Sequence, residues 1–395
     1  MPDLVLTAAQ ARRLASGHPW ILPEGLAEGR RGLTPGAWVR LIDGRGRSLG
    51  TALASPGEPV VARLWSREGE AVGRGTVSGR VAAAWARRAP LRTDGGTDAY
   101  RIAHGEADGL PGLFADLWDG VLTLEVQTSA WDPWLDFALD ALQRLARPNS
   151  LLLRRRIPGP DGNVPEGRAE AVRGQAPEKD KDVEVQEAGL RYRIRPFDAK
   201  PGLFADEREN RAWLAPRCAG KSVLNTFAFT GAFSVAAAKA GASVVTSLDL
   251  AAPILARLED NLRLNGLDPK RHPAVRGEAM TTLSRWAEEG RRFGVLILDP
   301  PAYATHKSGR WRAGRDYPLL AEAAARLVEP GGLLAAALTL HEVSAEGFER
   351  MLRAGAAAAG RKVLSLERRG ASADFPVLSG FPEGNYLKFA AMRLG

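Results

Sequence analysis

Hydrophobic and polar positions near the N-terminus alternate with the period of a half-buried strand. AWVRLIDGRGRSLGTALAS (residues 37–55) contains two alternating runs on either side of Asp43-Gly44-Arg45-Gly46. A turn sequence between two such runs predicts a β-hairpin. EPVVARLWSR (58–67) predicts another short strand. Residues 1–72 are therefore expected to form a small β-rich domain.

The pattern then changes to a mixture of helix and strand. RVAAAWARRA (80–89) and WLDFALDALQRLA (134–146) have helical periodicity, whereas VLTLEVQT (121–128) is strand-like. We expect residues 73–195 to form a central α+β module. Within it, residues 156–182 are rich in proline, glycine and charge. Such a composition cannot bury a core, so it predicts a long, flexible loop inserted into the module.

Strands and helices alternate from about residue 196 to the end of the chain. Strands are expected at SVLNTF (222–227), SVVTSLDL (243–250), GVLIL (294–298) and LLAAALT (333–339), and helices at AFSVAAAKAG (232–241) and PILARLEDNLRLNG (253–266). Continuous apolar strands between amphipathic helices are typical of a parallel sheet covered on both faces. Residues 362–369 and 385–394 predict a hairpin at the sheet edge. The fold class predicted for residues 196–395 is a doubly wound α/β sheet.

Polar residues mark the ends of the predicted parallel strands. In such sheets, ligands bind at the carboxyl ends of the strands, near the point where the strand order reverses. Asp249 follows Gly231 at about the spacing at which an acid binds a ribose diol. A short third strand is expected at AVRGE (274–278), before GVLIL as the fourth. The residues that these first four strands bring to the edge are Asn225, Thr226, Thr230, Gly231, Asp249, Glu278 and Asp299.

Two classes of cofactor bind at this position in a doubly wound sheet. A dinucleotide needs G-x-G-x-x-G, because the backbone must close on a pyrophosphate. The turn here has a single glycine, Gly231, among phenylalanines. A ligand with a ribose but no phosphate fits better, and S-adenosylmethionine (SAM) is the commonest such ligand. An NAD-dependent oxidoreductase is the less favoured alternative.

GVLILDPPAYATHK (294–307) ends a buried strand on a carboxylate and two prolines. Pro300 and Pro301 lack backbone donors and fix φ, so the strand stops and the loop is rigid. Asp299 on such a loop is suited to hold a flat, hydrogen-bonding substrate such as a nucleobase, with Tyr303 stacked on its face. No role is assigned to His306 or Lys307, and the histidine spacing predicts no metal site.

Composition narrows the class of protein. The chain has 395 residues, of which 45% are hydrophobic and 25% charged, as is typical of a soluble globular protein. The formal net charge of +8 permits binding to nucleic acid. Cys218 is the single cysteine, so a disulfide framework is excluded and a reducing compartment is expected. We expect a cytoplasmic protein that does not contact membranes.

Four separated segments resemble one family. The N-terminal HPWILPEGL (18–26), the central residues 100–120, PGLFADERENRAWL (201–214), and residues 225–250 together with LDPPAYATHKSGRW (298–311) are similar to the RlmI-type large-subunit ribosomal RNA methyltransferases. The resemblance covers nearly the whole chain. It implies an N-terminal PUA domain that binds RNA, a central α+β module and a class I methyltransferase domain over residues 196–395. Ribosomal RNA is the implied partner, and a homodimer is left open.

The resemblance also implies roles for individual residues. His18, Pro19 and Trp20 belong to the PUA landmark, where we expect Trp20 to pack in the core rather than contact RNA. Asp299, Pro300, Pro301 and Tyr303 form the implied catalytic turn. The residues expected to line the SAM pocket are Phe204, Asp206, Arg208, Asn225, Thr226, Thr230, Gly231, Asp249, Glu278 and Asp299.

One position departs from the family pattern. Family members that methylate cytosine at C5 carry a cysteine just after the fifth strand, and Thr339 occupies that place here. A hydroxyl with no evident base is a poor substitute for a thiolate. Cys218 precedes the first strand, about 16 Å from the opposite edge of the sheet.

This departure leaves three hypotheses open. The first is a ribosomal RNA methyltransferase that acts on a nitrogen or an exocyclic amine. The second is a cytosine-C5 enzyme with an unrecognised nucleophile. The third is a non-catalytic RNA-binding relative.

Overall fold

The computed structural model describes residues 1–29, 32–93, 95–306 and 309–395, and it divides into two compact units. The first unit consists of Met1–Val185, Ile194–Pro201 and Asp374–Gly384. The second unit consists of Gln186–Arg193, Gly202–Ala373 and Asn385–Gly395. Lys307 lies outside the described residues, and so does the side chain of His306.

The first unit begins with a six-stranded sheet and one helix. Its elements are β1 (Asp3–Leu6), α1 (Ala8–Ala15), β2 (Trp20–Ile21), β3 (Leu26–Glu28), β4 (Trp38–Ile42), β5 (Ser48–Ala54) and β6 (Ala62–Ser66), and the strand order is β2-β6-β5-β4-β1-β3. The predicted hairpin is confirmed, because β4 and β5 pair antiparallel. Asp43 closes the turn between them, since its Oδ1 accepts hydrogen bonds from the backbone N–H groups of Arg45 and Arg47.

A five-stranded sheet with three helices also belongs to the first unit. Its elements are α2 (Arg74–Arg87), α3 (Ala89–Thr93), β7 (Ala99–His104), β8 (Leu113–Trp118), β9 (Val121–Val126), α4 (Leu135–Ala146), β10 (Ser150–Arg155) and β11 (Glu170–Gly174), and the strand order is β11-β10-β9-β8-β7. Both sheets lie in one compact unit. The division at residues 72 and 73 stays a prediction.

The expectation of an unstructured loop over residues 156–182 is wrong in part. β11 lies inside this segment and pairs antiparallel with β10 at the edge of the sheet. Four of its five residues are exposed. An edge strand is held by backbone hydrogen bonds to one neighbour and needs little apolar burial. The composition of the segment therefore gave no sign of it.

The second unit contains a seven-stranded sheet. A short hairpin of β12 (Val183–Glu187) and β13 (Leu190–Ile194) precedes it. The strands of the sheet are β14 (Ser222–Thr226), β15 (Val244–Asp249), β16 (Ala274–Arg276), β17 (Phe293–Leu298), β20 (Val328–Thr339), β21 (Val363–Arg369) and β22 (Leu387–Leu394). Their order is β16-β15-β14-β17-β20-β22-β21; β16, β15, β14, β17 and β20 pair parallel in series, and β22 runs antiparallel to both of its neighbours, β20 and β21. The predicted doubly wound sheet with a C-terminal edge hairpin is confirmed.

In sequence, helices and one small hairpin precede or connect the strands of this sheet. They are α5 (Arg208–Leu214), α6 (Ala232–Lys239), α7 (Ala252–Leu264), α8 (Ala279–Glu288), β18 (Tyr303–His306), β19 (Gly309–Arg312), α9 (Ala313–Ala325) and α10 (Ala345–Ala358). Every residue of β17 is buried, as expected for a central strand. In the described part of the chain, we find no helix with the length and apolar character that crossing a membrane requires.

Candidate functional site

The ends of three parallel strands bring the predicted site residues together. Thr226, the last residue of β14, lies beside Leu248 of β15 and Leu298 of β17. Asp249 and Asp299 are the next residues of those two strands. Neighbouring strands are about 4.8 Å apart, so the backbones at Asp249 and Asp299 flank the end of β14 at a separation of about 10 Å. The strand order reverses at β14, which is where doubly wound sheets bind ligands.

The turn between β14 and α6 has a strained backbone. Phe227 and Phe229 have positive φ angles of 55° and 48°, a region that non-glycine residues rarely occupy. Gly231 begins α6 with φ of 85°, and a Cβ atom there would lie 2.4 Å from Leu258 Cγ. Strain of this kind persists where the surrounding structure enforces it, and it clusters at ligand sites.

Asp249 fixes this turn. Its Oδ2 accepts a hydrogen bond from the backbone N–H of Phe229 at 3.0 Å, and its Oδ1 accepts one from Ala251 N–H at 3.1 Å. Each carboxylate oxygen has two lone pairs, so these bonds leave acceptor capacity on a half-buried side chain. The carboxylate is thus suited to the ribose diol that the sequence predicts for it.

Four predicted pocket residues are bonded to the protein itself. The Asn225 amide donates to Ser234 Oγ at 2.9 Å, and the Thr226 hydroxyl donates to the Ile297 carbonyl at 2.7 Å. The Thr230 hydroxyl donates to the Gly202 carbonyl. Glu278 caps α8, because its two oxygens accept from the N–H groups of Met280 and Thr281. Their direct contact with a cofactor stays a prediction.

Two exposed aromatic residues border the same strand ends. Phe204 is 41% exposed, and its ring centroid lies 5.2 Å from that of half-buried Phe229. Tyr303 is 60% exposed and begins β18, two residues after the Asp-Pro-Pro turn. Exposed rings at a strand end are available to stack on the flat faces of a base or an adenine.

The Asp-Pro-Pro turn is held by hydrogen bonds on its far side. The indole N–H of Trp311 donates to the Pro301 carbonyl at 2.8 Å, and the backbone N–H of Ala313 donates to the Ala302 carbonyl at 2.9 Å. Pro300 is buried, whereas Pro301 is exposed. Asp299 is therefore presented on a loop whose position is fixed from both ends.

Asp206 and Glu207 add two carboxylates to Asp299. They lie on the 3₁₀ turn Ala205–Glu207, which leads into α5. The pKa of Asp299 is raised to about 7, mainly by burial and next by the negative charge of Asp206, while the positive charge of Arg211 opposes this rise. Burial also raises the pKa of Glu207 well above its usual range, and the negative charges of Asp299 and Asp206 add to this rise.

The side chains around these carboxylates are held in place. Arg211 donates to both oxygens of Glu187, at 2.7 and 2.6 Å, and to the Phe204 carbonyl at 2.8 Å. The Tyr386 hydroxyl donates to Asp206 Oδ2 at 2.7 Å. Arg208 is buried at the first position of α5. Arg211, whose positive charge opposes the rise in the Asp299 pKa, is thus already paired with Glu187.

Neither candidate nucleophile is suited to attack a base. Thr339 is exposed at the end of β20, with no base bonded to it among the contacts of the described residues. Cys218 is buried before β14, at the amino end of that strand, and burial raises its thiol pKa to about 12. A thiol with this pKa carries almost no thiolate at neutral pH.

The N-terminal landmark is engaged within the first unit. The Trp20 indole N–H donates to Glu106 Oε1 at 2.7 Å, and its ring meets Phe381 edge-on with centroids 4.8 Å apart. His18 is buried and lies 3.1 Å from Glu383, and the Pro19 carbonyl accepts a hydrogen bond from Leu64 N–H. Trp20 is thus half-buried and packs against Phe381, while the absence of a direct contact with RNA stays a prediction.

Sequence reasoning missed Glu207 and Tyr386. Glu207 lies inside the quoted segment 201–214, between two residues that were selected, so a signal was present. Tyr386 meets Asp206 across 180 residues of chain, and nothing local in the sequence marks that contact.

Comparison with known proteins places the chain among methyltransferases. Residues 162–381 match the family model for S-adenosylmethionine-dependent methyltransferases, and residues 4–67 match a PUA-like domain. A ribosomal RNA large subunit methyltransferase of Deinococcus radiodurans is 33% identical, with 100% of this chain and 98% of the relative covered. Ribosomal RNA large subunit methyltransferase I of Shewanella denitrificans is 31% identical, with 98% of each covered.

Solved structures agree on the fold. The structure of the methyltransferase SMU.776 complexed with S-adenosylhomocysteine (SAH) superposes with a TM-score of 0.87 at 22% identity, and each chain is fully covered. A SAM-dependent methyltransferase from Streptococcus mutans gives 0.85 at 23% identity, again over both full chains. These matches confirm the predicted fold class.

Proposed function

Because the chain belongs to the S-adenosylmethionine-dependent methyltransferase family, we propose that it methylates a base of large-subunit ribosomal RNA. Family membership confirms the predicted enzyme class and the predicted cofactor. The substrate is inferred from the names of full-length relatives and from the PUA-like match. The net charge of +8 favours an RNA partner.

The residues at the strand ends fit SAM. Asp249 retains acceptor capacity for a ribose diol, and the carboxylates Asp206 and Asp299 suit a positively charged ligand without phosphate. The single-glycine turn at Gly231 offers no pyrophosphate cradle, which argues against a dinucleotide. When bound, SAM supplies an electrophilic methyl group. We propose the set of pocket residues from the sequence as its binding residues, with Asn225, Thr226 and Thr230 acting through the position of the turn.

The observation that carries the proposal is Asp299, held on a rigid turn with a pKa of about 7. A base with a pKa near the working pH transfers protons efficiently. Asp299 accepts a hydrogen bond from an N–H of the target base and takes up this proton as the nitrogen gains the methyl group. Pro300 and Pro301 keep the carboxylate in position, and exposed Tyr303 stacks on the base.

The proposed target atom is a nitrogen or an exocyclic amine. Methylation at C5 of cytosine needs a nucleophile that adds to the ring, and the buried, protonated thiol of Cys218 cannot supply one. Transfer to nitrogen needs positioning and a proton acceptor, both of which the site provides. Such an enzyme is expected in the cytoplasm, where ribosomal RNA is made into ribosomes. Light scattering would show whether it works as the homodimer that the sequence left open.

Methyl transfer to RNA tests this function directly. Purified protein is incubated with tritium-labelled SAM and ribosomal RNA, and the labelled nucleoside is identified by mass spectrometry. We expect an N-methylated nucleoside, a loss of more than about 100-fold in rate for Asp299→Ala, and full activity for the control Cys218→Ala.

The outcomes separate the three hypotheses that the sequence left open. Labelled 5-methylcytidine, or covalent capture on RNA that contains 5-fluorocytidine, would contradict the nitrogen target. SAM binding without label in any RNA would point to a non-catalytic relative. Full activity of Asp299→Ala would show that the proton acceptor lies elsewhere.

A further inference from the structure

Glu207 is a buried carboxylate with an unused oxygen. Glu207 is 4% exposed, and its Oε2 accepts a hydrogen bond from Asn210 Nδ2 at 2.6 Å. Its Oε1 is buried and has no hydrogen-bond partner among the residues that the structure describes. A buried polar atom without a partner costs free energy and calls for an explanation, of which a missing ligand is one.

The surroundings of Glu207 hold more negative than positive charge. Asp206 and Asp299 both act on it electrostatically, and Tyr317 of α9 is close enough for the charges of Asp299 and Glu207 to raise its pKa further after burial. Arg211 is the cation that favours ionised Glu207, yet its guanidinium is hydrogen-bonded to Glu187. A ligand with positive charge would complete this cluster.

The chemistry of the cluster restricts what that ligand can be. Within the described ranges, no group of His, Cys, Asp and Glu side chains is suited to hold a metal ion. A phosphate is excluded by the like charge of the carboxylates. SAM has a positively charged sulfonium, whereas its product S-adenosylhomocysteine (SAH) has a neutral sulfur and is otherwise the same apart from the methyl group.

We infer that Glu207 becomes a buried negative charge when SAM binds and thereby recognises its sulfonium, so that the site prefers SAM to SAH. The inference rests on the proposed SAM site and adds a specificity-determining residue to it. Recognition of the sulfonium would favour entry of the methyl donor and release of the spent product. An amide at position 207 would keep the shape and the Asn210 contact but remove the charge.

A matched pair of variants tests this role in the absence of RNA. The dissociation constants of SAM and SAH are measured by calorimetry for the wild type, Glu207→Gln and Glu209→Gln. Glu209 lies on α5, two residues after Glu207, and its Oε1 accepts a hydrogen bond from the backbone N–H of Ala373. We expect Glu207→Gln to reduce the preference for SAM over SAH by about tenfold, and Glu209→Gln to leave it unchanged.

Proton release provides a second measurement that needs no variant. The pKa of Glu207 and that of Asp299 are raised mainly by burial, so the cluster holds protons near pH 7 when no cation is present. A cation that binds beside it lowers these pKa values and expels protons. Calorimetry in two buffers with different ionisation enthalpies should therefore show more proton release for SAM than for SAH.

Two results would overturn the inference. Equal weakening of SAM and SAH by Glu207→Gln would mean that Glu207 acts on a group that both ligands share, or only on the fold. Equal proton release for both ligands would mean that the cluster does not respond to the sulfonium. Both measurements use cofactor alone, so they succeed or fail independently of whether ribosomal RNA is the substrate.

Discussion

Asp299 combines a structural cost with a chemical benefit. Its folded-state pKa of about 7 lies above the ordinary value of 3.8. Between these two values the folded protein binds more protons than the unfolded chain, so the contribution of this group to stability falls as the pH rises. The carboxyl gains from this the ability to exchange a proton at neutral pH. A site selected for stability alone would place a neutral or solvated residue here.

The rate of methyl transfer should depend on pH through this carboxyl. We expect the single-turnover rate at saturating SAM to rise with pH and level off above an inflection at about 7 or below, because Asp299 must be ionised to accept a proton and the bound cation lowers its pKa. Asp206→Asn removes a negative charge that raises the pKa of Asp299, so it should move the inflection to lower pH. The other groups that interact electrostatically with Asp299, namely Arg211, Glu207 and Tyr317, are the same in the wild type and in Asp206→Asn.

The control for this prediction is Glu209→Gln, which removes an acid that does not act on Asp299. Its inflection should match that of the wild type. An inflection that stays in place in Asp206→Asn, or one that moves upward, would show that another group is titrating.

The turn from β14 to α6 shows how an element positions the site. Phe227 and Phe229 adopt positive φ without being glycine. Asp249, the last residue of β15, accepts a hydrogen bond from the backbone N–H of Phe229. Gly231 then allows α6 to start directly against Leu258 of α7. Strained residues, a tight glycine and a strand-end carboxylate together form one rigid wall of the proposed cofactor site.

Gly231→Ala should damage this wall, whereas Gly241→Ala should not. Both glycines flank α6 with positive φ, of 85° and 90°, but a Cβ at Gly231 would meet Leu258 at 2.4 Å, whereas one at Gly241 would meet no described atom within 4 Å. We expect the free energy of unfolding to fall by about 3 kcal/mol for Gly231→Ala and by about 1 kcal/mol for Gly241→Ala. SAM affinity should fall only for Gly231→Ala.

Denaturant unfolding and equilibrium binding of SAM measure the two effects. Equal losses of stability in the two variants would mean that backbone conformation alone matters, and that the close approach to Leu258 does not. Unchanged SAM affinity in Gly231→Ala would remove this turn from the cofactor site.

Periodicity predicted the elements far better than it predicted side-chain contacts. The parallel sheet was predictable because buried strands such as β17 are continuous apolar runs. β11 was missed because an exposed edge strand needs only backbone pairing. Thr226 and Glu278 were placed at the right strand ends, but position alone does not reveal that one bonds to Ile297 and the other caps α8. The Thr226 contact involves a strand residue that is distant in sequence, whereas the Glu278 cap is local and was missed because glutamate is not among the preferred N-cap residues.

At the scale of the whole molecule, the chain returns to its first unit late in the sequence. Asp374–Gly384 belongs to the unit formed by the N-terminal residues, although it follows most of the second unit. The sequence pattern assigns this segment to residues 196–395, because composition reports local periodicity and not which core a segment joins. Glu383 and Phe381 illustrate the consequence, since they contact His18 and Trp20. The first unit is incomplete without this distant segment.

Asp374→Ala should weaken the first unit selectively. Asp374 is 2% exposed, its Oδ2 accepts a hydrogen bond from the backbone N–H of Arg101 at 2.9 Å, and its carbonyl accepts one from Arg88 at 2.7 Å. Loss of the carboxylate removes a buried acceptor from β7, at a cost of about 1–3 kcal/mol. Hydrogen exchange should therefore accelerate about tenfold or more in β7 and stay unchanged in β14, while Asp374→Asn, which keeps an acceptor oxygen, should show a smaller effect. Equal acceleration in both strands would mean that the two units unfold together, and no acceleration in either would mean that the returning segment does not stabilise the first unit.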